Sequence, residues 1–215
     1  SPGTAKNVIT VGASESYDPG YTDGSGVGTD GADDIRDIID FSSRGPCSDG
    51  RKKPDLVAPG THIHGAASYA NAYDGTGVSD KYNPIGQIKY AESSGTSHST
   101  PAVAGAAALI RQFFINNSWE VPSPAMIKAF LITSTTYLTG KDANDNLWSN
   151  SQGFGLVNLE DILDSNAQRL IVDQEDANLF TSSGEVVKYT RQIHTTSAPV
   201  KIVLAWTDAP GSTVG

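Results

Sequence analysis

Eleven residues constrain this chain more than any others: Gly95-Thr96-Ser97-His98-Ser99-Thr100-Pro101-Ala102-Val103-Ala104-Gly105, followed by Ala106-Ala107-Ala108-Leu109-Ile110. Small apolar residues in an unbroken run predict a closely packed helix. Pro101 places its start near Ser97, because proline has no amide hydrogen to return to the Ser97 carbonyl. Gly95 permits a sharp approach to that start. Ser97 is therefore expected where unpaired N–H groups and the positive pole of a helix favour negative charge developing on a substrate. That is half of an oxyanion hole, and it makes Ser97 a candidate nucleophile. The same residues also fit a second reading, in which Thr96 or Ser97 only caps a buried, alanine-rich helix.

The string resembles the serine block of the subtilisin-like proteases (subtilases), G-T-S-x-x-x-P-x-V-A-G, with every specified position matched. Further blocks stand in the family's order. Ser1-Pro2-Gly3-Thr4-Ala5-Lys6-Asn7-Val8-Ile9-Thr10-Val11-Gly12-Ala13 is similar to the strand that follows the family's oxyanion asparagine. Phe41-Ser42-Ser43-Arg44-Gly45-Pro46, Lys53-Pro54-Asp55-Leu56-Val57-Ala58-Pro59-Gly60-Thr61 and Gln152-Gly153-Phe154-Gly155-Leu156-Val157-Asn158 follow, so the resemblance covers about residues 1–165.

The resemblance implies a partial α/β fold, a subtilisin-like parallel sheet flanked by helices. It also implies a serine endopeptidase working through an acyl-enzyme on Ser97, with Thr96 and the Ser97 amide supporting the oxyanion and a protein or peptide as substrate. Such an enzyme needs a histidine to take the serine proton and an aspartate to hold that histidine's tautomer. In the family these come from H-G-T-H and D-[ST]-G blocks, and the oxyanion asparagine from a G-N block. None of the three occurs in the 215 residues. An N-terminal half is thus the expected partner, and the chain alone is expected to be inactive. The competing class is a non-catalytic peptide-binding pseudoenzyme or structural fragment. A lipase-like hydrolase would need G-x-S-x-G, and position 99 is serine.

The remaining histidines carry weaker patterns. Thr61-His62-Ile63-His64-Gly65 is H-x-H-G, not H-G-x-H, and alternate residues on a strand share a face. A two-histidine metal site is one reading; a structural strand with no third ligand in view is the other. His98 adjoins Ser97, but its side chain leaves a helix about 100° away, which makes it a packing or rim residue and not the general base. His194 falls outside any motif.

Composition narrows the partners. Asp and Glu number 24 against 15 Lys and Arg, which argues against nucleic acid. No run of about 18 apolar residues is present to cross a membrane. The family resemblance implies a secreted or extracytoplasmic protein. The one cysteine, Cys47, cannot form an internal disulfide and reads as a passive structural thiol. Residues 15–40 hold eight acidic residues and one arginine among glycines. Such a loop fits either a structural calcium, which subtilases often bind, or a solvated surface needing no ion. The chemistry itself requires no cofactor.

Apolar runs predict strands over residues 8–12, 56–58 and 62–66, and the central helix over 97–114. Ser123 reads as an N-cap with Pro124 at the first helical position of a helix over 125–135, and residues 159–164 suggest a short further helix. After about residue 167 the pattern changes to β-rich runs at 170–172, 185–194 and 200–206. Pro199-Val200-Lys201-Ile202-Val203-Leu204-Ala205-Trp206-Thr207-Asp208-Ala209-Pro210-Gly211 resembles the early strands of the β-sandwich in large bacterial alkaline subtilases. The expected division is 1–166, the C-terminal half of a catalytic domain, and 167–215, the beginning of a β-sandwich domain.

Overall fold

The computed structural model describes residues 2–77, 80–146, 148–160, 162–164, 167–175, 179–193 and 199–209. Five strands and two α-helices are assigned among them: β1 (Val11–Ser14), β2 (Leu56–Pro59), β3 (Ile63–Ala66), β4 (Lys81–Tyr82), β5 (Tyr90–Ser93), α1 (Thr96–Asn116) and α2 (Pro124–Ser134). β1 and β2 pair in parallel, Val11 opposite Leu56 and Ser14 opposite Pro59. Leu156 extends that sheet by a parallel bridge to Val57, with the Val57 amide donating to Gly155 and the Val157 amide to Val57. The second sheet is antiparallel, in the order β3-β5-β4.

Alternation along β2 builds the core on both faces of the parallel sheet. Leu56 and Ala58 face α1, where Val103, Ala106, Ile110 and Phe114 form one stripe at helical spacing. Met126 and Phe130 of α2 close the same cluster. Val57 points the other way, into Ile38, Leu138 and Ala143. A parallel strand covered on both faces is the expected habit of an α/β layer.

Two close approaches depend on glycine. A Cβ on Gly60 would stand 2.5 Å from Ser99 Oγ and 2.7 Å from Ala13 Cβ, so only hydrogen there lets the end of β2 meet the start of α1. Gly153, at φ 60°, lies where a Cβ would come within 2.4 Å of the Pro54 and Asp55 carbonyls.

Several elements depart from the sequence-based expectation. Pairing begins at Val11 and not at residue 8, because the preceding residues are spent on side chains: Lys53 donates to the Val8 carbonyl at 2.9 Å, and the Thr10 amide to Asp55 at 2.8 Å. Pro101 lies inside α1, which starts at Thr96. The Ser97 carbonyl accordingly loses its amide partner within the helix. α2 agrees with its signals, the Ser123 hydroxyl accepting the Met126 amide at 3.0 Å. The Leu163 amide donates to the Leu159 carbonyl at 3.1 Å, and no helix is assigned among the described residues of 159–164. A segment that short gains too few bonds to offset nucleation.

The β-rich runs after residue 167 also differ. Among the described residues of 170–172, 185–193 and 200–206 none is in a strand, and His194 lies outside the described residues. A strand needs a ladder partner, and among the described residues these runs have none: Val186, Ile202 and Leu204 are more than four-fifths exposed. What holds residues 199–209 is side-chain bonding to the rest of the chain. Asn7 and Asp208 exchange two hydrogen bonds, and the Lys201 ammonium donates to the Thr133 and Thr135 carbonyls at the end of α2.

Candidate active site

Ser97 is brought to the surface by the junction of β2, β5 and α1. The Gly95 amide donates to the Gly60 carbonyl at 2.7 Å and the Ser99 hydroxyl to the Pro59 carbonyl at 3.1 Å. These bonds seat the first turn of α1 on the carboxyl end of the parallel strands, the position where open α/β sheets bind ligands. Ser99 turns inward and is fully buried, while Ser97 is exposed and Thr96 half-buried. The His98 amide turns back to the Gly95 carbonyl at 3.0 Å. The Thr96 and Ser97 amides have no acceptor among the described residues, so both are available to a developing oxyanion.

His98 does not serve Ser97. Its Nε2 stands 2.7 Å from the Ser93 hydroxyl, directed back along β5. Among the described residues no imidazole nitrogen faces the Ser97 hydroxyl.

A loop invisible in the sequence pattern clamps the residues before the helix. Ser25 and Ser94 bond reciprocally, the Ser94 amide to Ser25 Oγ at 3.0 Å and the Ser25 hydroxyl to the Ser94 carbonyl at 3.1 Å. The Ser94 hydroxyl donates to Asp23 and accepts the His62 amide. Asp23 also receives the Ser25 and Val27 amides at 2.9 Å each.

The acidic stretch 15–40 largely serves its own backbone in this way. Asp34 pairs with Arg36 at 2.9 Å, and Asp37 accepts the Ile38 and Asp142 amides at 2.8 Å. Glu15 accepts the Asp33 and Asp34 amides, but burial, with the Asp37 and Asp33 charges, pushes its carboxyl up to about 7.

His62 and His64 do not share a strand face as the alternation suggested. His62 precedes β3 at φ 50° and is buried, its ring stacked on Tyr21 at 4.7 Å between centroids. Its Nδ1 lies 2.9 Å from the Asp18 carbonyl and its Nε2 3.0 Å from the Val27 carbonyl. Both ring nitrogens are thus turned to backbone carbonyl oxygens and away from His64. His64, on β3, is exposed and reaches Glu92 across the sheet at 3.5 Å. Ser94, Asp23, Glu92 and Asn83 carried no motif; 71 residues separate Asp23 from Ser94, and only the folded sheet joins them.

The exposed Ser97 on the first turn of α1, seated at the ends of parallel strands with two uncommitted amides beside it, lies in a partial subtilisin-like α/β fold. The chain belongs to the subtilase family, peptidase S8, whose pattern matches residues 1–155. It is 35% identical over 164 residues to the serine protease AprX of Bacillus subtilis (strain 168), covering 74% of this chain and 30% of that protein. To the serine protease/ABC transporter B family protein tagA of Dictyostelium discoideum it is 31% identical over 187 residues, 80% of this chain and 10% of that protein. The chain thus spans less than a third of the length of these relatives. Among solved structures, the prenylagaramide maturation protease PagA is similar with a TM-score of 0.47 and 26% identity, over 74% of this chain and 42% of that one.

Proposed function

We propose that this chain supplies the nucleophile and half the oxyanion hole of a serine endopeptidase. The observation that carries the reading is the exposed Ser97 hydroxyl beside the uncommitted Thr96 and Ser97 amides at the positive end of α1. Ser97 Oγ attacks the peptide carbonyl carbon while its proton passes to a histidine. The carbonyl oxygen becomes the oxyanion and is met by the helix-start amides. Collapse expels the amine, which takes that proton, and leaves an acyl-Ser97 ester; water then hydrolyses the ester and restores the hydroxyl. No metal or cofactor enters this chemistry.

The histidine, its aspartate and the amide-donating asparagine belong in this reading to an N-terminal half of the same protease. One face of α1 supports such a partner: Ala102, Gly105 and Ala108 are exposed beside Leu109, itself 55% exposed. Small apolar residues at this spacing form a flat face suited to close packing by further protein. A secreted or extracytoplasmic location is part of the same reading; among the described residues no helix is long and apolar enough to cross a membrane.

The test is intact-mass labelling by a fluorophosphonate of the chain alone, of the full-length protein and of its Ser97→Ala variant. Adduct formation in full-length wild type alone is expected. Absence of labelling in full-length wild type would overturn the enzyme reading and leave a peptide-binding pseudoenzyme.

A further inference from the structure

Outside the nucleophile's surroundings, one cluster has more converging lone pairs than protons. Asp18, from the loop after β1, His64 on β3 and Glu92 on β5 each present a ligand atom, all within 4.8 Å of one another. Tyr21 and Asn83 complete the ring. The Tyr21 hydroxyl stands 3.2 Å from Asp18 Oδ2 and also faces Glu92 Oε1. The Asn83 amide nitrogen lies 2.7 Å from the Tyr21 oxygen and 3.1 Å from His64 Nε2, and also faces Glu92 Oε2. One phenolic and two amide protons must therefore satisfy five contacts.

Charge points the same way. The buried His62 ring lies 3.7 Å from Glu92, with its two nitrogens turned to the Asp18 and Val27 carbonyls, while two carboxylates meet in the cluster. Glu92 is 2% exposed, and a buried carboxylate needs full compensation. His64, by contrast, is half exposed, with its ring open to solvent. Its Nε2 and Glu92 Oε1, 3.5 Å apart, match the edge of a tetrahedron whose centre lies about 2.1 Å from each ligand.

We propose that Asp18, His64 and Glu92 form a structural site for a divalent cation of the zinc class. One imidazole nitrogen with two carboxylate oxygens suits zinc, whereas calcium takes six to eight oxygens and no nitrogen. The cation ties the loop at Asp18 to β3 and β5. Because Glu92 is five residues before Ser97, it braces the strand that delivers the nucleophile. This inference does not rest on the catalytic reading.

The experiment uses the full-length protein in a Ser97→Ala background, stripped by chelation, dialysed against zinc chloride and assayed for bound metal by mass spectrometry. Thermal melts with zinc or calcium and cobalt(II) absorption accompany it. The parent is expected to retain one zinc equivalent more than His64→Ala and Glu92→Gln, with affinity at the site lowered more than about 100-fold in both, beyond the loss typical of outer-shell changes. Zinc should raise the parent's melting temperature by about 3 °C or more and leave His64→Ala unmoved. His64 is exposed, so that variant should keep its fold, with circular dichroism as the check. Equal zinc retention by parent and variants overturns the proposal, as does protection by calcium that His64→Ala preserves.

Discussion

The Ser94 hydroxyl donates to the Asp23 carboxylate at 2.5 Å, joining the residue three places before Ser97 to a loop 71 residues away. Ser94→Ala removes this bond and strands the His62 amide, which donates to the same oxygen at 2.8 Å. The expected cost is about 1–3 kcal/mol, read from urea unfolding of the full-length protein. A fall in kcat of about tenfold or more should accompany it, since a nucleophile displaced by about 1 Å can lose about 100-fold. Unchanged kcat would mean the clamp does not position Ser97.

Gly60→Ala should act on the same junction from the strand side. Its methyl would collide with Ser99 Oγ and Ala13 Cβ, forcing α1 away from β2. Overpacking of this kind costs about 1–3 kcal/mol. Thermal unfolding and the rate of fluorophosphonate labelling should fall together, whereas Gly65→Ala, where a Cβ meets nothing within 4 Å, should change neither.

Asp55 holds two cations at once, Lys53 and Lys128 each at 2.7 Å, and accepts the Thr10 amide. Lys53 and Asp55 are both buried. Asp55→Ala leaves an ammonium group in the interior without its counter-charge and should destabilise by about 3–5 kcal/mol. Replacing Asp55 and Lys53 together by apolar residues should cost less than Asp55→Ala alone, which a double-mutant cycle would detect.

Glu15 gives a pH signature. Its carboxyl titrates near 4.5 when unfolded and near 7 when folded. Between those values the folded state binds more protons than the unfolded one, so stability is greatest at the acid end and declines as pH rises towards 7. Solvent screening reduces the decline to about 1–2 kcal/mol. Glu15→Gln should flatten the slope over that window, with denaturant midpoints across pH 4–8 as the measurement.

Helix α1 and the place of Ser97 on its first turn were legible because their signals are local. Gly95, Ser97 and the alanine run lie within one stretch, and α2 was marked by Ser123 and Pro124 side by side. The antiparallel sheet was not legible: β4 is two residues long, and β5 reads Tyr-Ala-Glu-Ser, without the apolar alternation that announces a strand. The residues after 167 failed in the opposite sense. Their alternation is strong, yet among the described residues Ile202 and Leu204 have no paired strand to cover them, and pattern alone cannot supply a ladder. The Asp18, His64 and Glu92 cluster was half seen, through His64, since its carboxylates come from a loop and a strand far apart in the chain.

β3 pairs with β5 so that Ala66 lies opposite Tyr90, and the chain between them departs and returns at one end of the sheet. The part of it before β4 is therefore decoupled from Ser97: a longer or shorter excursion there changes the rim and leaves the β4–β5 pairing in register. The two residues between β5 and α1, Ser94 and Gly95, have no such latitude. One residue inserted there would rotate the helix face by about 100° relative to the strand. Sequence drift in this lineage should thus accumulate as gains and losses between residues 67 and 80, while the spacing from Tyr90 to Ser97 stays constant.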